Sequence, residues 1–528
     1  MARTKIAFGR FAGPAIALAF VLWALAYIYR SSFIAIDGQR YFGLFDDAMI
    51  SMRYAWNYSH GLGLVWNAGE RVEGYTNFLM VLLMSAATRL LDKSSAVLAV
   101  QLAGIPTMVG AACIAARLTR FVARSEVTKD LAAAELVVFV GVLLYYPLSF
   151  WTLTGMETGL LALLLVSAVY FSLRYLESAR PGPLMWMAWL LGLAFLTRND
   201  SLIYAVIVLA FTAFQSRSAG RGWTALLPAL GVFTLFVLGQ QVFRYSYYHA
   251  WVPNTYTLKM IGMPLLDRLR NGGAFIGPFL VETGAPLLLA TVGVLFGGST
   301  AEKYLLGLFW ASALYQVGIG GEPWDRWRMM SAVMPFAVVV FSAQGMRLAR
   351  GMTKARSGRR LAASLLIVGG LLLADVRFLP EMLLRVPGNA DNLDQMNLAI
   401  AVDELTRESA TVGVFHAGLL PYYTGRRAID FLGKSDAYIA GLPPHFLPAA
   451  QAGGHRTYIA PGHNKYDLSY SIKQLRPTYV EGFNWYTARL ERWARSFYLE
   501  TSYESVELYL LKDSPDVLWE LAPAAGSP

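Results

Sequence analysis

The chain has 528 residues, 56% of them hydrophobic and 15% charged, where soluble domains carry about a quarter charged residues. Its formal net charge of +10 does not point to nucleic acid, because the basic residues cluster in short loops between long apolar runs, the positive-inside pattern of a membrane protein. The one cysteine, Cys113, excludes an intrachain disulfide and a zinc site built on cysteines.

At the N-terminus basic residues precede an apolar run over 14–30. "ALA" at 24–26 imitates a signal-peptidase site, but the runs that follow favour an uncleaved signal anchor. Further apolar runs cover 77–91, 96–116, 131–149, 158–175, 184–198, 201–215, 223–242, 275–297, 303–319, 329–347 and 361–379. The run at 77–91 is short and is followed closely by charge at Arg89, Asp92 and Lys93. Laid along the outer membrane face, it leaves Arg117, Arg120, Arg124 and Lys129 inside, together with the later basic clusters up to Arg360. Charge bias then predicts a multi-pass plasma-membrane protein with eleven spans and a cytoplasmic N-terminus. Residues 1–379 form the transmembrane part, with a first outer loop over 31–95. The more polar residues 380–528 read as an extracytoplasmic α/β domain.

On this map the unusual polar residues gather on the outer side. They lie in the first loop and in "LTGMET" (153–158), "LTRND" (196–200), "WVPNTYTLKM" (251–260) and "GGEPWDRWR" (320–328). The segment "FDDAMISMRY" (45–54) reads as a helix with Phe45, Met49, Met52 and Trp56 on one face, suited to lying on the bilayer. Asp46, Ile50, Arg53 and Asn57 form a neighbouring stripe. Asp46 and Asp47 project about 100° apart, so they cannot both aim at one atom. The pair is either the acidic start of a helix dipole or a base with a positioning partner. The next stretch, "GLGLVWNAGERVEGYTN" (61–77), brings glycines for close approach. It adds Glu70, Glu73, Asn77 and the amphipathic rings of Trp66 and Tyr75. Arg198, Lys259, Arg326 and Arg328 are outer cations able to hold a lipid phosphate. Glu157 and Asp200 are acids at span ends that fit pairing or function. Pro253 before Asn254 suggests a tight turn.

No phosphate-loop motif and no metal-protease spacing occurs, and His416, His445, His455 and His463 are too scattered to claim a metal site. A glycosyl donor used outside the cell, where nucleotide sugars are absent, is most simply a polyprenyl phosphate. Phosphate is a good leaving group, so one carboxylate acting as base can suffice, with cations stabilising the departing charge.

The combination "FDDAMISMRYAWNYSHGLGLVWNAGERVEGYTN" with "TGMET", "LTRND", "VPNTYTLKM" and "RWRMMSAVMPF" resembles membrane glycosyltransferases of the GT-C fold. So do "VGVFHAGLLPYYTGRRAIDFLGKSDAYIA" and "PGHNKYDLSY" in the tail. More narrowly, the chain is similar to the actinobacterial cell-wall terminal arabinofuranosyltransferases and their bacterial relatives, over about 41–480. The resemblance implies transfer of a sugar, arabinofuranose by the family's example, from a polyprenyl-phosphate donor to an envelope glycan or glycoprotein acceptor. It implies a catalytic acid of the first outer loop, Asp46 or Asp47. Lys259, Arg198 and Arg328 become the donor-phosphate candidates. Arg53, Glu70, Glu73, Tyr75, Asn77, Glu157, Asn254 and His416 become the sugar or acceptor candidates. No cofactor is required, and a divalent metal is not indicated. Two departures stand out: Asn199 replaces a common proline, and "GGEPWD" replaces a common Gly-Gly-Asp, which leaves open whether Asp325 fills the acidic role. Family products differ in anomeric configuration, so the stereochemistry stays open. A flippase of lipid-linked sugars would place ionisable groups near mid-span, and an envelope-assembly scaffold would not need the aspartates. The one-sided polar load favours an enzyme.

Overall fold

The computed structural model describes residues 2–122, 128–352, 368–370, 375–446, 460–482 and 496–522. Helices dominate up to Met352. They are α1 (Ala2–Ser31), α2 (Asp46–Ser59), α3 (Phe78–Leu90), α4 (Lys93–Val122) and α5 (Thr128–Leu144). Then come α6 (Tyr146–Leu153), α7 (Thr158–Ser178), α8 (Pro181–Thr197), α9 (Leu202–Ser218) and α10 (Leu227–Tyr248). The last are α11 (Asn254–Met260), α12 (Leu265–Glu282), α13 (Gly284–Gly297), α14 (Thr300–Ile319) and α15 (Arg328–Met352). A two-stranded hairpin, β1 (Phe33–Ile34) and β2 (Arg40–Tyr41), opens the loop before α2.

Among the described residues six helices are long and apolar enough to span a bilayer, or up to eight if two bent pairs each count as one. Two of the expected apolar runs are broken rather than continuous helices. The run 131–149 bends by 53° between α5 and α6, where Pro147 sits in the first turn of α6 and cannot continue the preceding ladder. The run 275–297 turns by 89° between α12 and α13, at Thr283, with Gly284 and Pro286 following. Helix α8 has 17 residues and α3 has 13, so they reach about 25 and 20 Å, short of a hydrocarbon core of about 30 Å. Most of the run 361–379 lies outside the described residues.

Helix α15 is the axle of the bundle. It is buried over Arg328–Met346 and packs against α4, α5, α7 and α14. Its first residue, Arg328, is therefore held at a fixed depth at one end of the bundle. A buried cation at the positive end of a helix is unfavourable unless acids surround it. The loop before it is also strained: Arg326 and Trp327 adopt φ of 63° and 38°, a conformation side chains rarely tolerate without a local reason.

After Asp375 the chain forms α16 (Leu379–Leu383), α17 (Asn389–Leu405) and a five-stranded sheet. The strands are β3 (Thr411–Val414), β4 (Arg427–Asp430), β5 (Tyr479–Val480), β6 (Tyr498–Tyr503) and β7 (Val506–Leu511), ordered β4-β3-β5-β7-β6. β3 runs parallel to β4 and β5, while β7 is antiparallel to β5 and β6. Strand β7 alternates strictly, with Val506, Leu508 and Leu510 inward, the period of a half-buried strand. Helix α17 packs against it.

Candidate active site

Helix α2 begins at Asp46 behind an extended Phe45, whose backbone N–H donates to the Thr154 carbonyl at 3.0 Å. Phe45 is gripped edge-on by Trp151 and Trp324 at 5.0 and 4.9 Å between ring centres. The face expected to lie on lipid is instead inside the protein: Met49 and Met52 are fully buried. The tail covers it, with Trp56 edge-on to Tyr422.

Asp46 and Asp47 diverge, as their helical angle requires. Among the described residues neither carboxylate accepts from its own helix, although both sit in its first turn. Asp46 Oδ1 accepts from the backbone N–H of Gly418 at 3.0 Å. Asp47 Oδ1 accepts from Lys434 Nζ at 2.7 Å and its Oδ2 from Arg328 at 3.3 Å. The charges follow. Burial raises the Asp46 carboxyl above its usual range, with Lys434 and His416 only partly opposing it. Burial acts on Asp47 too, but Lys434, Arg328 and Lys259 overcome it and hold this carboxyl well below that range.

Two further acids frame the cations. Glu322 Oε1 accepts from Arg328 Nε and Nη2 at 3.2 and 2.9 Å. It directly follows Gly320-Gly321 and is buried, while Asp325 is exposed. Glu157, buried, binds Arg198 at 2.7 Å and Asn77 Nδ2 at 3.2 Å. Ser51 in α2 donates to Asn77 at 3.1 Å. Arg198 also forks onto both oxygens of Asp200 at 3.0 and 2.8 Å. Its charge is thus matched by two carboxylates. Arg326 is likewise paired, with Glu381.

Lys259 differs from these cations. It lies on α11, where Asp47, Arg328, Lys434 and Glu322 all act on its charge. Among the described residues it makes no hydrogen bond or ion pair. Burial pulls its ammonium down to about 8.

Several candidates lie in the walls of the site. Arg53 donates from Nε to the Trp66 carbonyl at 2.6 Å and from Nη2 to Asn67 and the Arg426 carbonyl at 2.9 and 2.7 Å. It also donates to the Pro421 carbonyl. Glu70 pairs with Arg427 at 2.6 Å. Glu73 makes a buried pair with Arg244 at 2.5 Å. Tyr75 meets the Tyr248 hydroxyl at 3.1 Å, and both Tyr75 and Trp66 are buried rather than presenting a face. Asn254 starts α11 rather than a turn and donates to the carbonyls of Gly433 and Lys434 at 2.9 and 3.0 Å.

His416 comes from the tail, half-exposed, with Nδ1 2.5 Å from Glu481 Oε1. Burial opposes its charge, but Glu481 and Asp46 raise the imidazole to about 9. Lys434, Glu322 and Glu481 are site residues that sequence reasoning did not single out. For Glu322 the signal was its place directly after Gly-Gly. For Lys434 and Glu481 the sequence carries no local mark.

A sequence family described as "Domain of unknown function (DUF8728)" matches residues 389–515. No curated protein matches the chain. Solved structures do. ArnT from Cupriavidus metallidurans bound to undecaprenyl phosphate aligns with a TM-score of 0.50 at 12% identity, over 79% of this chain and 86% of that one. The Archaeoglobus fulgidus oligosaccharyltransferase in its apo form aligns with a TM-score of 0.50 at 14% identity, over 97% and 76%. The same enzyme tethered to an acceptor peptide containing the NVT sequon gives 0.52 at 13%, over 97% and 75%. At these identities the likeness is one of fold. The chain is a polytopic helical membrane protein of the GT-C fold, with a sheet-containing C-terminal part.

Proposed function

We propose that this protein is an integral-membrane glycosyltransferase that moves a sugar from a polyprenyl-phosphate donor to an envelope glycan or glycoprotein acceptor. By the sequence resemblance the sugar is a pentose, arabinofuranose. The observation that carries the reading is the pairing of unlike carboxylates with an uncommitted cation. Asp46 is buried and raised, Asp47 is locked as an anion, and Lys259 beside it lacks a counter-ion among the described residues. An anionic group placed there would complete the charge balance. The lipid phosphate of a donor has that charge, and the ArnT neighbour was solved with undecaprenyl phosphate.

In this reading Asp46 takes the proton of the acceptor hydroxyl as its oxygen bonds the anomeric carbon. The bond from that carbon to the phosphate oxygen breaks, and polyprenyl phosphate leaves. Lys259 and Arg328 stabilise the charge that develops on it, while Asp47 holds Arg328 and Lys434 in register. The reaction so written needs no dissociable cofactor. A flippase would place its ionisable groups near mid-span, whereas Asp46, Asp47, Lys259 and Arg328 all sit in or next to helix ends.

The test is incubation of purified protein with a panel of polyprenyl-phosphate sugars, arabinofuranose first, and a simple glycan acceptor, with product read by mass. Transfer is expected, with Asp46→Asn lowering kcat by about 10²- to 10⁴-fold. Absence of product from every donor would defeat the proposal.

A further inference from the structure

The C-terminal domain meets α2 through one edge of its sheet. Strands β4, β3 and β5 lie side by side and parallel, so their carboxyl ends all face the same way. His416 stands just past β3, Lys434 in the loop after β4, and Glu481 directly after β5. Open parallel sheets commonly build their sites just outside these strand ends. Here that place is occupied by the first turn of α2.

Each contact is built rather than incidental. The Lys434 loop is braced from within: Asp430 accepts from the backbone N–H groups of Leu432, Gly433 and Ser435 at 3.0, 3.0 and 2.7 Å. Asn254 braces it from α11. Glu481 is buried and fully engaged. Its Oε2 accepts from the backbone N–H groups of Phe415 and His416 at 2.5 and 2.9 Å, and its Oε1 from Gln395 at 2.7 Å. That anchors the imidazole at Nδ1, two residues before Gly418, whose N–H holds Asp46. Gly418, which donates to Asp46, has no room for a side chain: a Cβ there would lie 2.5 Å from Asp46 Oδ1.

We propose that this domain is a working part of the reaction centre: Lys434 fixes Asp47 as an anion, and the His416–Glu481 pair positions Asp46 and holds it ready as the base. The proposal rests on the reading of Asp46 as base. His416, Lys434 and Glu481 are positioning residues, since they act through the two aspartates. Among the described residues, the charged groups facing the His416–Glu481 pair and Asp46 are Asp47 from the same helix and Lys434 from the neighbouring loop. The imidazolium favours the ionised form of Asp46, so removing it pushes the Asp46 carboxyl further up. A domain that served only as a clamp would lack this coupling.

Two measurements on the full-length protein test it. The first is pH-dependent modification of His416 by diethyl pyrocarbonate, read by mass spectrometry, because only the neutral ring reacts. The wild-type midpoint is expected well above the ordinary value of about 6.5. Glu481→Gln and Asp46→Asn are each expected to lower it, the former by at least about one unit. The second is the pH profile of transfer. His416→Gln is expected to move the acid limb upward by about one unit. Lys434→Met should lose at least about ten-fold in transfer, with Lys434→Arg recovering most of it. Thermal unfolding of each variant confirms that it is folded. An unmoved His416 midpoint in folded Glu481→Gln and Asp46→Asn protein overturns the proposal, as does an unmoved acid limb. A shifted midpoint in a protein that turns over no donor would instead defeat the glycosyltransferase reading while leaving the link between the domain and Asp46 in place.

Discussion

At the scale of single residues, two adjacent aspartates do different jobs because the helix points them at different neighbours. Asp47 faces Lys434 and Arg328, and Asp46 faces a backbone N–H and the histidine side of the tail. This division has a pH signature. Asp46 must be ionised to act, so activity is lost as pH falls through its raised carboxyl, above the ordinary range near 4. Lys259 must be charged to hold a phosphate, so activity is lost as pH rises through about 8. A bell in kcat/KM between those limits is expected, read by initial rates across pH. An alkaline limb above 10 would mean that Lys259 is not the titrating cation. Lys259→Met is expected to weaken polyprenyl-phosphate binding by about 10- to 100-fold, the range of a charge-assisted contact, measured by donor titration. An unchanged affinity would move the phosphate elsewhere.

At the scale of elements, the site depends on the first loop and the tail being locked together. Arg53, Glu70, Glu73 and Asn254 look like ligand-binding residues when read along the chain, yet Arg53 and Glu70 tie the first loop to the tail, Glu73 ties it to α10, and Asn254 ties α11 to the tail's lysine loop. Gly74 shows why the loop is glycine-rich. A Cβ at Gly74 would lie 2.5 Å from Ser435 Oγ and 2.8 Å from the Lys434 carbonyl, so the close approach is to the tail's own lysine loop. Gly74→Ala is expected to displace that loop and reduce transfer by about ten-fold or more, a cost of order 1–3 kcal/mol for overpacking, while the protein stays folded by size-exclusion and thermal unfolding. Wild-type rates in that variant would show that Lys434 need not be held there. The loop's polar character was legible in "GERVEGYTN"; its partner was not, because packing between segments leaves no periodicity in either.

At the scale of the molecule, hydropathy sorted most of the chain correctly into helices, as the long uncharged runs of α4, α7 and α15 require. It did not register the breaks within 131–149 and 275–297, since an apolar run records burial in lipid or protein and not direction. Bends at Pro147 and at Thr283 are decided by local backbone bonding and by what each half packs against. The proposed orientation, with the C-terminal domain outside, is checked by labelling intact cells with an impermeant maleimide in a Cys113→Ser background. Glu408→Cys should label at once, and Ser218→Cys only after permeabilisation. The reverse pattern would place the site on the cytoplasmic face.

The amino-acid sequence by itself determined that this is a membrane protein of many helices, that its reactive-looking side chains gather in a few short stretches, and that Asp46 and Asp47 cannot share one target. Those properties are local: hydropathy, spacing and helical angle are set within a few residues. Only the tertiary structure decided which aspartate stays an anion. The groups that settle it, Arg328 and Lys434, lie 281 and 387 positions away from Asp47. Their charges reach Asp47 through the path of the folded chain, and no local pattern encodes that path.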